Sequence, residues 1–276
     1  MSDQDFKSLS QERYGRFAER YVTSKTHAAG EELQRLVEIA DPQPGWIVLD
    51  VATGGGHTAL RFAPRVARVI ATDITPGMLD KAREFITSQG VVNVTFEPAD
   101  AEELPFRDGA FDLVTCRIAP HHFQDCARFV QESARVLRPG GMLLVQDLAL
   151  PEDEGAARYI DAFERLRDPS HNRGYAVSEW LSMFQTANLV PEHVEQIVKE
   201  HQFEPWARRQ ACTRETIEEL IRMVAKASDP VLAWMQPRNF GQPDARCVNN
   251  HILVAGRRLW PEPVREEMNG SQGVLV

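Results

Sequence analysis

Short apolar runs alternate with amphipathic stretches between residues 46 and 149. The runs are rich in β-branched residues, as in strands buried on both faces of a sheet. The stretches between them have the spacing of helices that cover such a sheet. The pattern therefore predicts βαβ units and a parallel sheet, with strands at residues 47–51, 68–73, 92–96, 111–116 and 142–147.

Two helices in this region have clear ends. Thr75 stands at a capping position, Pro76 follows it, and Gly90 lies just past the last turn, which predicts a helix over 76–89. A second helix is predicted over 125–137, because a proline and two glycines at 139–141 stop it.

The flanking sequences predict mainly helices. Residues 8–40 have the periodicity of two helices, whose apolar faces carry Tyr14, Phe17 and Tyr21 in the first and Leu33, Leu36, Val37 and Ala40 in the second. After Pro151 we expect further helices over 153–167, over 178–188 beginning at Ser178, and over 213–227 beginning at Thr213.

A strand over 251–255 is expected to return to the sheet. The chain then divides into five predicted parts: an N-terminal helical cover (1–45), a core (46–150), a mostly helical region (151–248), a final strand (249–258) and a loose tail (259–276).

Composition and charge narrow the function classes. The 276 residues include 31 Lys and Arg against 40 Asp and Glu, a formal charge of -9. This balance opposes broad nucleic-acid binding, which needs basic residues along the phosphates. The sequence has no apolar run long enough to span a membrane and no secretory start, so we expect a cytoplasmic protein without stable membrane insertion.

The four cysteines are scattered, at Cys116, Cys126, Cys212 and Cys247, and form no C-x-x-C pair. We expect them to be reduced and mostly buried. No pair of histidines has the helical spacing of metal ligands, so no metal site is predicted.

A glycine turn follows the first predicted strand, in the segment Asp50-Val51-Ala52-Thr53-Gly54-Gly55-Gly56. Glycines at the carboxyl end of such a strand let the backbone approach a ligand. A dinucleotide fingerprint fits poorly, because its glycine positions hold Ala52 and His57 in one register and Ala59 in the other. The lysine of a nucleotide-triphosphate loop is missing, which excludes that loop.

Five ordered motifs resemble those of class I S-adenosylmethionine (SAM)-dependent methyltransferases. The glycine turn is similar to their first motif, D-x-G-x-G-x-G, with Ala52 in place of the first glycine. The others lie at residues 70–79, 99–106, 111–123 and 135–141. The resemblance implies an α/β fold of Rossmann-like, doubly wound type, with a mostly parallel seven-stranded sheet.

Segments outside these motifs, at residues 14–21, 24–30 and 166–171, resemble the ubiquinone/menaquinone-biosynthesis type of methyltransferase. The similarity covers roughly residues 10–258 and departs mainly within 200–250. Those residues would shape the acceptor pocket, so the acceptor stays open.

The resemblance implies a set of cofactor contacts. The Asp73 carboxylate would accept hydrogen bonds from both ribose hydroxyls, and Asp100 would meet the adenine amino group. Asp50 either holds the glycine turn or meets the amino group of the methionine part. The full predicted set is Asp50, Ala52, Thr53, Gly54, Gly56, Asp73, Ile74, Met78, Asp100, Ala101 and Arg117, with Tyr21 and His27 as a lid or as helix packing.

His121 and His122 follow the fourth predicted strand at the ligand edge of the sheet. Transfer of a methyl group from SAM needs no acid, because the leaving group is a neutral thioether. A base is needed where the acceptor carries its proton. His121 and His122 are therefore candidates for a base or an acceptor-orienting group, although two adjacent side chains do not point the same way.

The expected function is transfer of a methyl group from SAM to an O, C or N atom of a small molecule, leaving S-adenosylhomocysteine. The acceptor pocket is predicted under residues 171–240, where five aromatic side chains are candidates: Trp180, Phe184, Phe203, Trp206 and Trp234. The alternatives are a SAM-binding protein without transfer activity and an NAD-dependent reductase.

Overall fold

The computed structural model describes residues 7–9, 11–13, 15 and 31–260. Its strands are β1 (Ile47–Val51), β2 (Arg68–Asp73), β3 (Val94–Pro98), β4 (Phe111–Arg117), β5 (Leu137–Leu150), β6 (Tyr175–Ala176), β7 (Leu189–Gln202) and β8 (Arg246–Arg258). Its helices from residue 31 onward are α1 (Glu31–Ala40), α2 (His57–Phe62), α3 (Pro76–Ser88), α4 (Cys126–Val136), α5 (Glu154–Arg167), α6 (Val177–Thr186), α7 (Phe203–Arg209), α8 (Arg214–Ala225) and α9 (Asp229–Met235).

Seven strands form one sheet in the order β3-β2-β1-β4-β5-β8-β7, and the two-residue β6 pairs with β5. The strands from β3 to β5 are parallel, whereas β8 is antiparallel to both of its neighbours. The sequence order reverses between β1 and β4, and ligands bind at such a point in open α/β sheets. The predicted Rossmann-like sheet is confirmed.

Helices cover both faces of the sheet. One core lies under α1 and α2 and includes Leu36, Phe62 and Leu113. The other lies under α4 and α6 and includes Phe129 and Trp180. A third core joins α5, α7, α8 and α9 beyond the end of β5. The third core places a helical wall beside the carboxyl ends of β4 and β5.

Most predicted elements occur close to their expected bounds. Helices α3, α4, α5 and α8 match the predicted ones, and Asp125, Asp153 and Thr213 cap α4, α5 and α8 with their side chains. The buried face of α1 carries the predicted apolar residues Leu33, Leu36, Val37 and Ala40. Tyr14, Phe17 and Tyr21 of the other N-terminal helix lie outside the described residues. All four cysteines are free and buried, as predicted.

Four predictions need correction. The third strand begins at Val94 rather than at residue 92, and Val92 is exposed. Ser178 does not begin α6, because its hydroxyl donates to Glu152 and the helix starts one residue earlier. The region over 151–248 contains the 14-residue strand β7, which the sequence analysis missed. The final strand is also longer than predicted and begins at Arg246.

Thr75 occupies the N-cap position of α3, but its side chain makes no capping hydrogen bond. Its backbone N–H donates instead to Oδ1 of Asp73, at 2.9 Å. Within the described part of the chain, every helix is too short or too polar to cross a membrane.

Candidate active site

The glycine turn after β1 adopts a left-handed backbone at three positions: Ala52 (φ 51°), Gly54 (φ 53°) and Gly56 (φ 81°). Glycine takes this conformation without steric cost, and other residues do so rarely. A Cβ at Gly56 would lie 2.8 Å from Cδ1 of Ile86, so α3 packs directly against this position. The backbone of the turn therefore packs against α3 at Gly56, whereas at Gly54 it carries no side chain.

Asp50, at the end of β1, stabilises the turn through hydrogen bonds. Its carboxylate accepts hydrogen bonds from the hydroxyls of Thr53 (2.6 Å) and Thr115 (2.8 Å) and from the backbone N–H of Ala59 (3.2 Å). Burial raises the pKa of Asp50 to about 6, against these hydrogen bonds, which lower it. Of the two roles predicted for Asp50, this geometry favours support of the turn.

Asp73 ends β2 beside the turn and is buried. Its Oδ2 accepts a hydrogen bond from the backbone N–H of Gly54 at 3.0 Å, and its Oδ1 accepts the one from Thr75. Burial raises the pKa of Asp73, although the backbone hydrogen bonds act in the opposite direction. The carboxylate lies at the wall of a cavity.

Asp100 lies at the next strand end, after β3. Its Oδ1 accepts from the backbone N–H of Glu102 at 2.9 Å, and its Oδ2 accepts from Nζ of Lys7 at 2.7 Å. Lys7 also pairs with Glu102 at 3.0 Å. The N-terminal residues thus contact this end of the cavity.

Two more N-terminal side chains continue across the same face. Gln11 donates to the carbonyl of Ile74 at 2.9 Å, and Arg13 pairs with Asp168 at 3.2 Å. These contacts with Lys7, Gln11 and Arg13 extend along one side of the cavity. They run from Asp100, after β3, to Asp168, at the end of α5.

The cavity has a volume of about 730 Å³ and extends along the carboxyl ends of the parallel strands. Its first part is lined by the glycine turn, Asp73, Met78 and Asp100. It then passes the loop after β4, with His121 and His122, and reaches α5, β7, α7 and β8. One continuous space thus connects the predicted cofactor residues with the helical wall.

His121 borders the cavity and forms a hydrogen-bonded pair with Asp147, which lies behind the cavity lining. Nδ1 of His121 lies 2.6 Å from Oδ1 of Asp147, and the backbone N–H of His121 donates to Oδ2 at 2.7 Å. Asp147 is 1% exposed. Burial lowers the pKa of His121, but the charge and hydrogen bond of Asp147 outweigh it, and the net pKa lies above 6.5.

His122 has a different environment. Its Nδ1 lies 2.9 Å from the backbone carbonyl of Ser170, so it donates there, and its ring centroid is 4.0 Å from that of His121. Burial and the neighbouring His121 lower the pKa of His122 to about 3.

Arg117 ends β4 behind the turn, and its Nε donates to the hydroxyl of Thr58 at 3.2 Å. Burial lowers the pKa of Arg117, and the carboxylates of Glu32 and Asp50 act in the opposite direction. Glu32 also pairs with Lys199 of β7. Arg117 therefore belongs to a buried charge network that connects the turn with β7.

Comparison with known proteins identifies the family. Residues 49–145 match the model of the methyltransferase domain. The chain is 38% identical over 245 residues to the uncharacterized methyltransferase YcgJ of Bacillus subtilis, which covers 88% of this chain and 96% of that protein. The crystal structure of YcgJ has a TM-score of 0.79 at 35% identity, covering 83% of this chain and 98% of YcgJ.

The chain belongs to the class I SAM-dependent methyltransferases. It is also 37% identical over 123 residues to the ubiquinone/menaquinone biosynthesis C-methyltransferase UbiE of Marinomonas sp., covering 43% of this chain and 49% of UbiE. Geranyl diphosphate methyltransferase in complex with SAM shares the fold, with a TM-score of 0.57 at 16% identity over 83% of this chain and 84% of that chain. The enzyme uses SAM as its methyl donor.

The residues of this methyltransferase fit the cofactor. A Cβ on Gly54 would meet only the flexible end of Met78, at 3.5 Å, on a backbone already in the left-handed region. The turn therefore offers bare backbone at the cavity wall, with one carboxylate at the end of β2 and another after β3. A ribose diol and an adenine amino group are hydrogen-bond donors that match two such carboxylates.

The structure brings most predicted site residues of the methyltransferase to one cavity. Its lining includes Asp50, Ala52, Thr53, Gly54, Asp73, Ile74, Met78, Asp100, Ala101, Arg117, His121 and His122. Gly56 is an exception, because it packs on Ile86 and does not border the cavity. Tyr21 and His27 lie outside the described residues.

Other residues of the methyltransferase cavity escaped the sequence analysis. Asp147, which pairs with His121 from behind the cavity lining, was available as a polar residue at the end of a predicted strand. Lys199 and His201 were hidden because β7 was not recognised. Among the five aromatic candidates, Trp206 borders the cavity, whereas Trp180, Phe184 and Phe203 are buried in the cores and Trp234 donates to the carbonyl of Ala149 at 2.9 Å.

Proposed function

We propose that this methyltransferase modifies a small molecule bound beyond His121, and that His121 removes a proton from the acceptor. The single observation that carries the proposal is the His121–Asp147 pair, which lies where the cofactor part of the cavity meets the helical wall. The cytoplasm is the expected compartment.

The cofactor-side residues have binding and orienting roles in this proposal. Asp73 accepts hydrogen bonds from the ribose, and Asp100 with Ala101 holds the adenine between Ile74 and Met78. The bare backbone at Gly54 contacts the methionine part. When bound, SAM supplies a methyl group on a positively charged sulfur, and its loss leaves a neutral thioether. The protein's task is then to hold the acceptor in line with that methyl group and to exclude water.

Asp147 fixes the tautomer of His121. A carboxylate only accepts hydrogen bonds, so Nδ1 of His121 carries the proton. Nε2 is then the basic nitrogen, and no hydrogen bond to the described residues occupies it. Once Nε2 takes a proton from the acceptor, the negative charge of Asp147 stabilises the imidazolium.

His121 is a better base than its neighbour. A pKa of about 3 makes His122 a very weak base at neutral pH, and its Nδ1 is bound to Ser170. Asp147 raises the pKa of His121, so this imidazole is more basic than an ordinary histidine, as suits a general base. We assign His122 the role of holding the loop after β4 against residues 168–171.

The size and charge of the site support a small acceptor. The cavity of about 730 Å³ has to hold both SAM and the acceptor, which leaves room for a small molecule only. The net charge of -9 disfavours nucleic acid as the acceptor. The acceptor atom in this proposal is an O, N or C atom whose proton His121 can reach.

The test is a transfer assay with SAM labelled in its methyl group. The full-length protein is incubated with a metabolite extract and, in parallel, with total RNA and total protein. We expect label in small molecules. Label that appears in RNA or protein instead, or tight SAM binding with no transfer to any fraction, would contradict the proposal.

His121→Asn tests the base. This variant should bind SAM normally and lose transfer, whereas His193→Asn should keep it, because His193 lies on β7 outside the cavity. Equal turnover of His121→Asn and the wild type would remove His121 from the mechanism.

A further inference from the structure

The cavity continues past His121 into a chamber lined by basic and aromatic side chains. We call it the distal chamber and define it by Arg167, Lys199, His201, Trp206 and His251. These residues come from four elements, α5, β7, α7 and β8. Two cationic side chains, two imidazoles and one indole thus border the part of the cavity in which the acceptor is proposed to bind.

The acidic side chains around the distal chamber have basic partners. Glu164 pairs with Arg167 at 2.7 Å and also accepts from Nδ2 of Asn249 at 3.1 Å. Glu32 pairs with Lys199, and Asp168 pairs with Arg13. Glu200 pairs with Arg246 at 2.6 Å. A positively charged acceptor would therefore compete with existing ion pairs for these carboxylates. Arginine has five N–H donors and lysine three, so one carboxylate partner does not use up the donors of Arg167 or Lys199.

His251 has a hydrogen-bonding atom that the protein does not satisfy. The side chain is 7% exposed and borders the cavity, and its buried Nδ1 has no partner among the described residues. Buried polar atoms are nearly always hydrogen-bonded, and an exception needs a reason. A ligand group in the distal chamber is such a reason.

The charges around both chamber histidines are mainly positive. Burial lowers the pKa of His251 well below 6.5, and the charges of Lys199 and Arg117 lower it further. Burial lowers the pKa of His201 to about 4, helped by Arg209 and Arg167 and opposed by Glu164. Both imidazoles are therefore neutral at pH 7, and each has one N–H to donate within a positive field.

Trp206 holds two of the basic groups in place. The guanidinium of Arg167 lies 4.0 Å from the centroid of a Trp206 ring. The ring of His201 stacks on Trp206 with a centroid distance of 5.5 Å and an angle of 10°. Groups fixed before the ligand arrives lose less entropy on binding. The distal chamber is thus pre-organised.

We propose that the distal chamber binds an anionic group of the methyl acceptor, a carboxylate or a phosphate, through Arg167, Lys199 and the N–H groups of His201 and His251. The inference rests on the proposed function, because it names the acceptor class for the same cavity. The anion anchors one end of the acceptor, and the atom to be methylated lies toward His121.

The test measures binding without turnover. Full-length protein saturated with S-adenosylhomocysteine is titrated with benzoate, phenyl phosphate and the neutral analogue benzamide, and binding is followed by NMR. We expect at least one of the two anions to bind about tenfold more tightly than benzamide, the effect of one hydrogen bond to a charged group. The tighter of the two anions identifies the acceptor group as carboxylate or phosphate.

Variants locate the site. His251→Leu should weaken binding of the favoured anion about tenfold, and His251→Gln, which keeps an N–H donor, should restore part of it. His193→Leu, on β7 but outside the cavity, should leave it unchanged. Affinity for S-adenosylhomocysteine reports whether each variant is folded, and His201→Asn replaces His251→Leu if that variant is not.

Two results would overturn the inference: benzamide binding as tightly as both anions, or anion binding unaffected by the His251 and His201 variants. The proposed function fails separately, if anions bind in the distal chamber but no small molecule accepts the methyl label. Anions that fail to bind while an uncharged small molecule is methylated would overturn the inference alone.

Discussion

Oδ2 of Asp73 accepts a hydrogen bond from the backbone N–H of Gly54 across 3.0 Å. The bond ties the end of β2 to the turn after β1, at the place where the strand order reverses. A residue proposed to hold the ribose thus also fixes the backbone proposed to contact the methionine part. Both halves of the proposed cofactor site therefore depend on the carboxylate of Asp73.

Replacement of Asp73 should weaken cofactor binding. Asp73→Ala removes the proposed ribose contacts and the bond to Gly54, and we expect a loss of about 1.5–3 kcal/mol, roughly ten- to a hundredfold in Kd. Calorimetry with SAM or S-adenosylhomocysteine measures it. Asp112→Asn is the control, because Asp112 accepts a hydrogen bond from the backbone N–H of Ile47 at 2.7 Å, at the amino ends of β1 and β4 and away from the cavity. If both variants bind SAM like the wild type, Asp73 is not a cofactor residue.

Asp147→Asn should impair transfer while leaving the cofactor site intact. The amide can donate to Nδ1 of His121, which favours the tautomer with the proton on Nε2 and removes the base. A fall in kcat of about 10²–10⁴-fold is expected, the usual contribution of a positioned general base. Turnover with an identified acceptor measures this, and SAM affinity should change little. An Asp147→Asn enzyme with normal kcat would show that the pair has no role in transfer.

The same pair predicts a pH dependence. Burial lowers the pKa of His121 but Asp147 raises it more, so the net pKa lies above 6.5. The base must be neutral, so kcat should fall as the pH drops through this pKa. In Asp147→Asn the raising charge is gone, and the residual activity should persist to lower pH. A pH–rate profile that is flat from pH 5 to 8 in the wild type would contradict the assignment.

His201 should make folding stability sensitive to acid. Burial and nearby Arg209 lower its folded-state pKa to about 4, below the ordinary 6.5. Between these values the unfolded chain binds more protons, so the contribution of His201 is complete above pH 6.5 and is lost as the pH falls. Relative to His201→Asn, the wild type should lose up to about 1.4 kcal/mol per pH unit in this window. Denaturant unfolding at several pH values measures the difference.

A control separates this effect from general acid sensitivity. His193→Asn changes a half-buried histidine on the same strand, outside the cavity. It reports how much a histidine on this strand but outside the cavity contributes to the acid sensitivity of unfolding. Parallel curves for His201→Asn and the wild type would show that His201 is not held neutral.

Three glycine substitutions separate backbone strain from packing. Gly54, Gly56 and Gly90 all have left-handed backbones, so an alanine at each costs about 1–2 kcal/mol of stability. Gly90→Ala has open space and should show this cost alone. Gly56→Ala should lose roughly 1–3 kcal/mol more, because its Cβ would overlap Ile86.

Gly54→Ala should resemble Gly90→Ala in stability but bind SAM more weakly, because its Cβ lies at the cavity wall. Thermal unfolding and calorimetry on the three variants make the comparison. A Gly54→Ala protein with normal SAM affinity would show that the turn is not in contact with the cofactor.

The sheet from β1 to β5 was predictable because its signals are local. Apolar strands, Pro76 and Gly90 and the capping residues Asp153 and Thr213 each act within a few positions. The glycine turn likewise lies in one continuous segment. The backbone conformation of Ala52 was predictable from the family motif. Its φ of 51° is left-handed, as expected at a position where the motif has glycine.

The strand β7 was missed because its apolar residues face outward and several of its polar residues face inward, the reverse of the usual pattern. Val190, Val194 and Val198 lie on the exposed face, while Lys199 and His201 lie on the inward face. A prediction that places apolar residues on the inward face therefore does not recognise this strand. Lys199 and His201 face the distal chamber and not a core, so burial alone does not explain them. The His121–Asp147 pair was missed for another reason, since its partners come from different strand ends and meet only in the folded sheet.

The contacts of Lys7 and Arg13 have one further consequence. Lys7 and Asp100 are 32% and 30% exposed, whereas Arg13 and Asp168 are 17% and 4% exposed. Dissolved ions screen exposed charge pairs more strongly than buried ones. Rising ionic strength should therefore detach Lys7 from Asp100 before it detaches Arg13 from Asp168, and the end of the cavity proposed to hold adenine should become accessible first.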